Sequence, residues 1–256
     1  DGATVLGTAI LNGSGQAVWA TTALSASWSP HSLTAVYSGD SSFATSTSIA
    51  LSQVVNPKAL TVTGATVASK VYDGTTAATI SGAVLNDVIS GDAVALGNAA
   101  SGTFANKHVG VGKAVSTAMT LSGADAGNYT LAQPALTGTI TARALTVTGL
   151  AAQNKVYDGT TTATLAGTPG LAGAVGGDGV ALAGTATGPF ANADVGTAKT
   201  VTISGLSLAG ADAGNYTLTP PTATADITGA ATTTTLISSA NPAGVGSNVT
   251  FTATVV

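Results

Sequence analysis

The chain has 256 residues, of which only 7% are charged, against about 25% in an average soluble domain; its net charge is −4 and it contains no cysteine. Seven basic residues without a cluster speak against nucleic acid, which needs several cations on one face, and the missing cysteines exclude a disulfide scaffold. The mean hydropathy of +0.42 comes from small aliphatic residues. Thr, Ser, Gly or Asn interrupts each apolar stretch well before the roughly 18 residues of a spanning helix, and 4% aromatic residues are too few for the girdles of a membrane barrel.

Ala, Thr, Gly, Ser and Val dominate, and all eleven acidic residues are Asp. Thr and Val lose side-chain freedom in a helix and Gly costs about 1 kcal/mol per helical position, so the composition predicts an all-β fold. Residues 1–55 hold two stretches set apart from the middle of the chain, 7–16 and 33–43, in a segment too small to bury a comfortable core of its own. From residue 58 the alternation becomes regular. Leu60 and Val62 share one face and Thr61 and Thr63 the other; Val115, Met119 and Leu121 alternate with Ala114, Ser116, Ala118 and Thr120; Val201 and Ile203 alternate with Thr200 and Thr202. Turn signals fall at Asp73-Gly74, Ser90-Gly91-Asp92, residues 106–110 and Ala126-Gly127-Asn128. Short strands between such turns predict a sandwich of about seven strands per unit, with a β-grasp variant containing one helix as the alternative. Residues 230–256 carry two more stretches, 232–236 and 248–255, around Asn241-Pro242.

The middle of the chain is duplicated. Residues 70–76, Lys-Val-Tyr-Asp-Gly-Thr-Thr, return at 155–161; residues 91–96 return at 177–182, and 124–131 at 211–218. The shifts are 85, 86 and 87 residues, the drift expected when loops absorb insertions and strand pairing does not. A period this long gives each unit its own core, so the chain reads as an array of modules 1–56, 57–142, 143–228 and 229–256. The junctions near Pro57 and Arg143 are two or three residues long, which predicts a semi-rigid, elongated array.

Several groups of residues invite a chemical reading. Residues 125–131 and their copy match the spacing of a tyrosine corner, with Tyr129 and Tyr216 expected to bury their rings and bond backbone a few residues upstream. Tyr72-Asp73-Gly74 and Tyr157-Asp158-Gly159 suit sugar recognition by composition, but the better account is a turn with Gly at positive φ and Tyr packed at the strand end. Asp40, Asp92, Asp125, Asp178 and Asp212 raise calcium at module junctions, against which stands the lack of an EF-hand or nonapeptide spacing. Lys70 and Lys155 with Asn128 and Asn215 raise an isopeptide crosslink, with Asp73 or Asp125 as proton shuttle; a solvated Lys is the plainer account. His31 and His108 stand alone, without zinc-ligand spacing, and no activated Ser is present, so no catalytic, metal or cofactor residues are assigned. Trp19 and Trp28 are the aromatics best suited to adhesion.

These motifs carry a family resemblance. Residues 32–43 resemble the C-terminal half, and residues 233–253 the N-terminal half, of a bacterial Ig-like repeat found in large surface adhesins. The two central units resemble the YDG repeat of filamentous-haemagglutinin-like proteins, through residues 71–76, Gly91-Asp92, residues 124–129 and their second copies. The resemblance implies a non-catalytic stalk exported to a bacterial surface, partnered by neighbouring modules of its own array. Direct binding of glycans or host proteins is the first alternative. The second is a head-to-tail fibre in which terminal half-modules complete one another by strand addition.

Overall fold

The computed structural model describes residues 4–256. Its elements are strands, apart from two three-residue 3-10 turns at Ala126–Asn128 and Ala213–Asn215. The expected class holds: all-β, with sheets arranged as sandwich modules in tandem. Among the described residues there is no α-helix, so the β-grasp alternative with its one helix is not the topology. The chain divides into two compact units. The first runs to Val71 and resumes over Thr75–Thr141; the second takes Tyr72–Gly74 together with Ala142–Val256.

In the first unit, residues 31–53 form two small antiparallel pairs, His31–Leu33 with Leu51–Gln53 and Val36–Tyr37 with Ser46–Thr47. Beyond them Lys58–Thr63 lies between a parallel neighbour, Tyr129–Leu131, and an antiparallel one, Val84–Asn86. A six-stranded sheet runs in the order Thr66–Val67, Ala77–Ser81, Ser101–Phe104, Gly110–Thr117, Leu136–Thr141, Lys70–Val71. The residues that alternate toward the interior, Leu60, Ile80, Phe104, Val115, Met119 and Ile140, are all buried. Each such side chain contributes about 1.5–3 kcal/mol through removal from water.

The second unit repeats the plan. Arg143–Thr148 pairs parallel with Tyr216–Thr219 and antiparallel with Gly170–Ala172. Thr222–Thr228 lies between Gly196–Thr202 and Lys155–Val156. Leu145, Phe190, Val201, Ile203, Ala225 and Ile227 are buried beneath these strands. The final hairpin, Thr234–Ser238 with Phe251–Val255, leaves Leu236, Phe251 and Val255 exposed.

Eleven strands lie within residues 58–141, not about seven, and glycine accounts for part of the surplus. Gly64 (φ 71°) stands opposite Gly82 (φ 73°), and a Cβ on either would lie 2.6 Å from the carbonyl oxygen of the other. One two-stranded ribbon therefore bends there and passes from one sheet to the next, becoming four short strands: Thr63 pairs with Val84 on one side and Thr66 with Ser81 on the other. Gly149 and Gly167 play the same part in the second unit.

Candidate functional site

A polar corner in each unit is built on its 3-10 turn. In the first unit the turn Ala126–Asn128 delivers Tyr129 to the start of the strand beside Lys58–Thr63, with its ring buried. The Tyr129 hydroxyl accepts the Ile89 N–H at 3.2 Å and donates to Asp92 Oδ2 at 2.5 Å. Asp125 closes the other side by accepting the Ala93 N–H at 2.8 Å. Two carboxylates thus fasten the turn at residues 89–93 to the 3-10 turn. Burial first, and the Asp92 hydrogen bond second, hold the Tyr129 phenol above its ordinary pKa.

The second unit has the same parts and one more. Tyr216 accepts the Val175 N–H at 2.9 Å and donates to Asp178 Oδ2 at 2.6 Å, while Asp212 accepts the Gly179 N–H at 2.9 Å. Tyr72, fully buried, adds its hydroxyl to the same Asp178 oxygen at 2.8 Å. Its ring meets Tyr216 edge to face, with centroids 5.3 Å apart and planes at 79°, a geometry worth about 0.5–1.5 kcal/mol beyond area burial. The turn that follows needs Gly74 at φ 79°, and a Cβ there would lie 2.8 Å from Val175 Cγ1. Desolvation and the Asp178 bond raise the Tyr216 phenol in turn. One carboxylate therefore receives two phenols. A carboxylate has acceptor capacity for both, and phenol donors suit it because they bring no second charge into the partly buried site.

Set against the expectations, the tyrosine corner is present but its backbone bond is not local. Tyr129 and Tyr216 reach 40 and 41 residues upstream, because the parallel pairing of their strands aims each ring at the turn after the unit's first hairpin. The YDG turns form as expected, with Gly74 and Gly159 both at positive φ. Their tyrosines part company: Tyr72 is a core residue of the second unit, whereas Tyr157 is 47% exposed and does not pack at its strand end.

The remaining candidates are placed as follows. Asp40 accepts the Tyr37 hydroxyl and the Ser42 and Phe43 N–H groups. Among the described residues no three His or Asp side chains gather as a cation would require; the five aspartates raised for calcium instead bond N–H and O–H donors. The Lys70 ammonium donates to Thr75 and Ala77, and Lys155 to Thr160 and Thr162 with Asp158 at 2.6 Å. The Asn128 carboxamide oxygen accepts from Ala26 N–H at 2.8 Å and from Ser27. Those engagements do not bring Lys70 to Asn128 for a crosslink. His31 is buried, its Nε2 2.6 Å from the Ser25 carbonyl. Trp19 packs over Gly7, and Trp28 is 79% exposed. An open groove lined by Ile10, Leu11, Val36, Tyr37 and Asp40 and another lined by Thr161, Ala163, Leu165 and Pro189 are shallow and gather little titratable chemistry.

Sequence reasoning missed the phenol-accepting role of Asp92 and Asp178. The signal was there in outline, since Gly-Asp precedes the corner tyrosine by 37 residues in one copy and 38 in the other. It also missed Asn128 as an acceptor, which no local pattern announces.

Comparison with known proteins fits this architecture. Residues 1–56 match the bacterial Ig-like domain (group 3), and residues 56–136 and 141–225 each match the YDG domain. No curated protein and no solved structure matches. Both domain types are non-catalytic kinds, and together they fit a surface adhesin-like repeat protein. With two corners of one design in tandem, matched over most of its length, the chain belongs to the YDG domain family.

Proposed function

We propose that this chain is a non-catalytic spacer of a bacterial cell-surface adhesin, a run of modules that carries an adhesive part of the same protein away from the cell. One observation carries the reading: the side chains that could do chemistry are used to fasten the modules themselves. Asp92, Asp125, Asp178 and Asp212 each bond a backbone N–H or a tyrosine hydroxyl of a corner. The surface also offers a partner few charges, since only 7% of the residues are charged.

A second reading, direct binding of glycans or host proteins, is favoured by Trp28 and Phe43, which are 79% and 69% exposed. Aromatic faces of this kind stack on sugar rings and anchor protein contacts. The two readings separate on glycan arrays and immobilised matrix proteins probed with the full chain. The spacer predicts signal at background. Saturable binding abolished by Trp28→Ala would replace it with the second reading.

A further inference from the structure

The final hairpin leaves its edges in a different state from the sheets of the YDG repeats. The six-stranded sheet of the first unit ends on Lys70–Val71, and the three-stranded sheet around Thr222–Thr228 ends on Lys155–Val156. A two-residue strand that carries a lysine is a poor template for a further strand. Thr234–Ser238 and Phe251–Val255 are five residues each and pair in unbroken register, without proline or bulge. Residues 229–256 hold no charged side chain, and along both strands every residue but Ser238 is exposed. None of the usual guards against strand addition is present on this hairpin.

The register decides what each edge offers. Thr233 and Val256 exchange both of their backbone bonds, at 2.7 and 2.9 Å, and the Ser239 N–H donates to the Thr250 carbonyl at 2.9 Å. Antiparallel ladders alternate, so Thr235 with Thr254 and Ile237 with Thr252 also turn their backbone groups inward. Those of Phe251, Ala253 and Val255 then point out from one edge, and those of Thr234, Leu236 and Ser238 from the other. The same parity sorts the side chains. Leu236 stands opposite Ala253 and Ser238 opposite Phe251, which puts Leu236, Phe251, Ala253 and Val255 on one face and Thr235, Ile237, Thr252 and Thr254 on the other. The edge of Phe251–Val255 thus presents three apolar residues with the smallest in the middle, whereas the opposite edge presents Leu236 between two hydroxyl side chains.

An edge of this kind fits a copy of itself. A two-fold axis through Ala253 sets it against Ala253 of a second copy and sets Phe251 against that copy's Val255. Each of these pairs can exchange both backbone bonds, because these are the residues whose N–H and C=O point outward. Phe251 beside Val255 occurs twice across the axis and covers apolar flanks that are exposed in the single copy. With no charged side chain on either hairpin, no like-charge repulsion opposes the contact. Two ribbons that are each marginal alone become one four-stranded sheet. We propose that Phe251–Val255 is a self-association edge, through which two copies of this chain join in an antiparallel pairing centred on Ala253. The assignment goes beyond the spacer reading and does not depend on it.

Sedimentation of the full chain from micromolar to submillimolar concentration tests the stoichiometry. A monomer–dimer equilibrium that stops at the dimer is expected, because a two-fold contact closes on itself. A monomer throughout overturns the proposal, and so does growth beyond the dimer, which a head-to-tail contact would give. Phe251→Lys alters a side chain already exposed in the single copy and is expected to move the dimer midpoint roughly tenfold or more to higher concentration; an unmoved midpoint overturns the proposal. The pairing itself is read with Ala253→Cys, which gives the chain its only thiol. Residues that exchange both bonds lie about 5.5 Å apart between Cα atoms, within disulfide reach. Mild oxidation should therefore link two copies roughly tenfold faster or more than in Ser247→Cys, whose thiol would lie in the exposed loop between the strands. Equal rates overturn the proposal even where the chain dimerises, because the contact then lies elsewhere.

Discussion

The two YDG copies are alike in strand order, in the paired glycine bend, in the bulge between Gly110 and Lys113 or Gly196 and Lys199, and in the Asp–Tyr corner. They differ in where the signature tyrosine ends. Tyr72 is wholly buried against Asp178 and Tyr216, while Tyr157, with the same seven residues around it, is half exposed beside an Asp158 that pairs with Lys155 and accepts the Thr160 N–H. The sequence Lys-Val-Tyr-Asp-Gly-Thr-Thr therefore specifies a turn and a direction, and the surroundings decide whether its aromatic ring becomes core.

The widest separation of the two copies is expected from truncation. Tyr72→Ala removes a fully buried ring and its hydrogen bond, at a cost of about 3–5 kcal/mol, whereas Tyr157→Ala stays within about 0.5 kcal/mol, as a surface change does. Urea unfolding of the full chain, with hydrogen exchange of Thr222–Thr228 to report on the second unit, measures both. Equal effects would erase the contrast.

A smaller difference sits at the bulge. Gly112 has φ 65° in the first copy, and its counterpart Ala198 is held at φ 49°, with its N–H bonded to Asp226 at 2.7 Å. A left-handed alanine is strained by about 1–2 kcal/mol. Ala198→Gly is therefore expected to stabilise the second unit by up to about 1 kcal/mol, after the entropy cost of glycine, and Gly112→Ala to destabilise the first by a similar amount. Thermal melts of the two variants check the opposite signs.

Titration gives the mildest contrast. The Lys155 bond, followed by the Thr160 backbone and hydroxyl bonds, lowers Asp158 to about 2. A carboxylate depressed in the folded state adds stability that is complete above its unfolded value near 4 and is lost as the pH falls toward 2. The group is exposed, so the change is small and best followed by NMR of Asp158 itself. The corner phenols run the other way: Tyr129 and Tyr216 are raised, so their contribution is present below pH ~10 and disappears as the pH climbs through their folded values. Ultraviolet absorbance at alkaline pH shows whether they ionise late.

Much of this was legible in the residues. The alternation of Leu60, Val115, Val201 and Ile203 marked core positions correctly, because one face of each strand is buried and period two follows directly. The bend at Gly64 and Gly82 was hidden, since the alternation on either side of it runs on in the same rhythm and only the facing carbonyls reveal why Cβ atoms are excluded. Tyr129 and Tyr216 could be read as buried, but not their partners, which lie about 40 residues away across a parallel pairing that leaves no local trace. Tyr72 and Tyr157 mark the limit most sharply: identical neighbours in sequence, opposite exposure.

The central claim, that the first copy's YDG tyrosine belongs to the second unit through Asp178, is tested most directly by a double-mutant cycle of Tyr72→Phe and Asp178→Asn in the full chain. Both changes preserve shape and together isolate the 2.8 Å bond. The account predicts that the two losses are coupled by about 1 kcal/mol or more. Strict additivity, with each loss unaffected by the other, would contradict it.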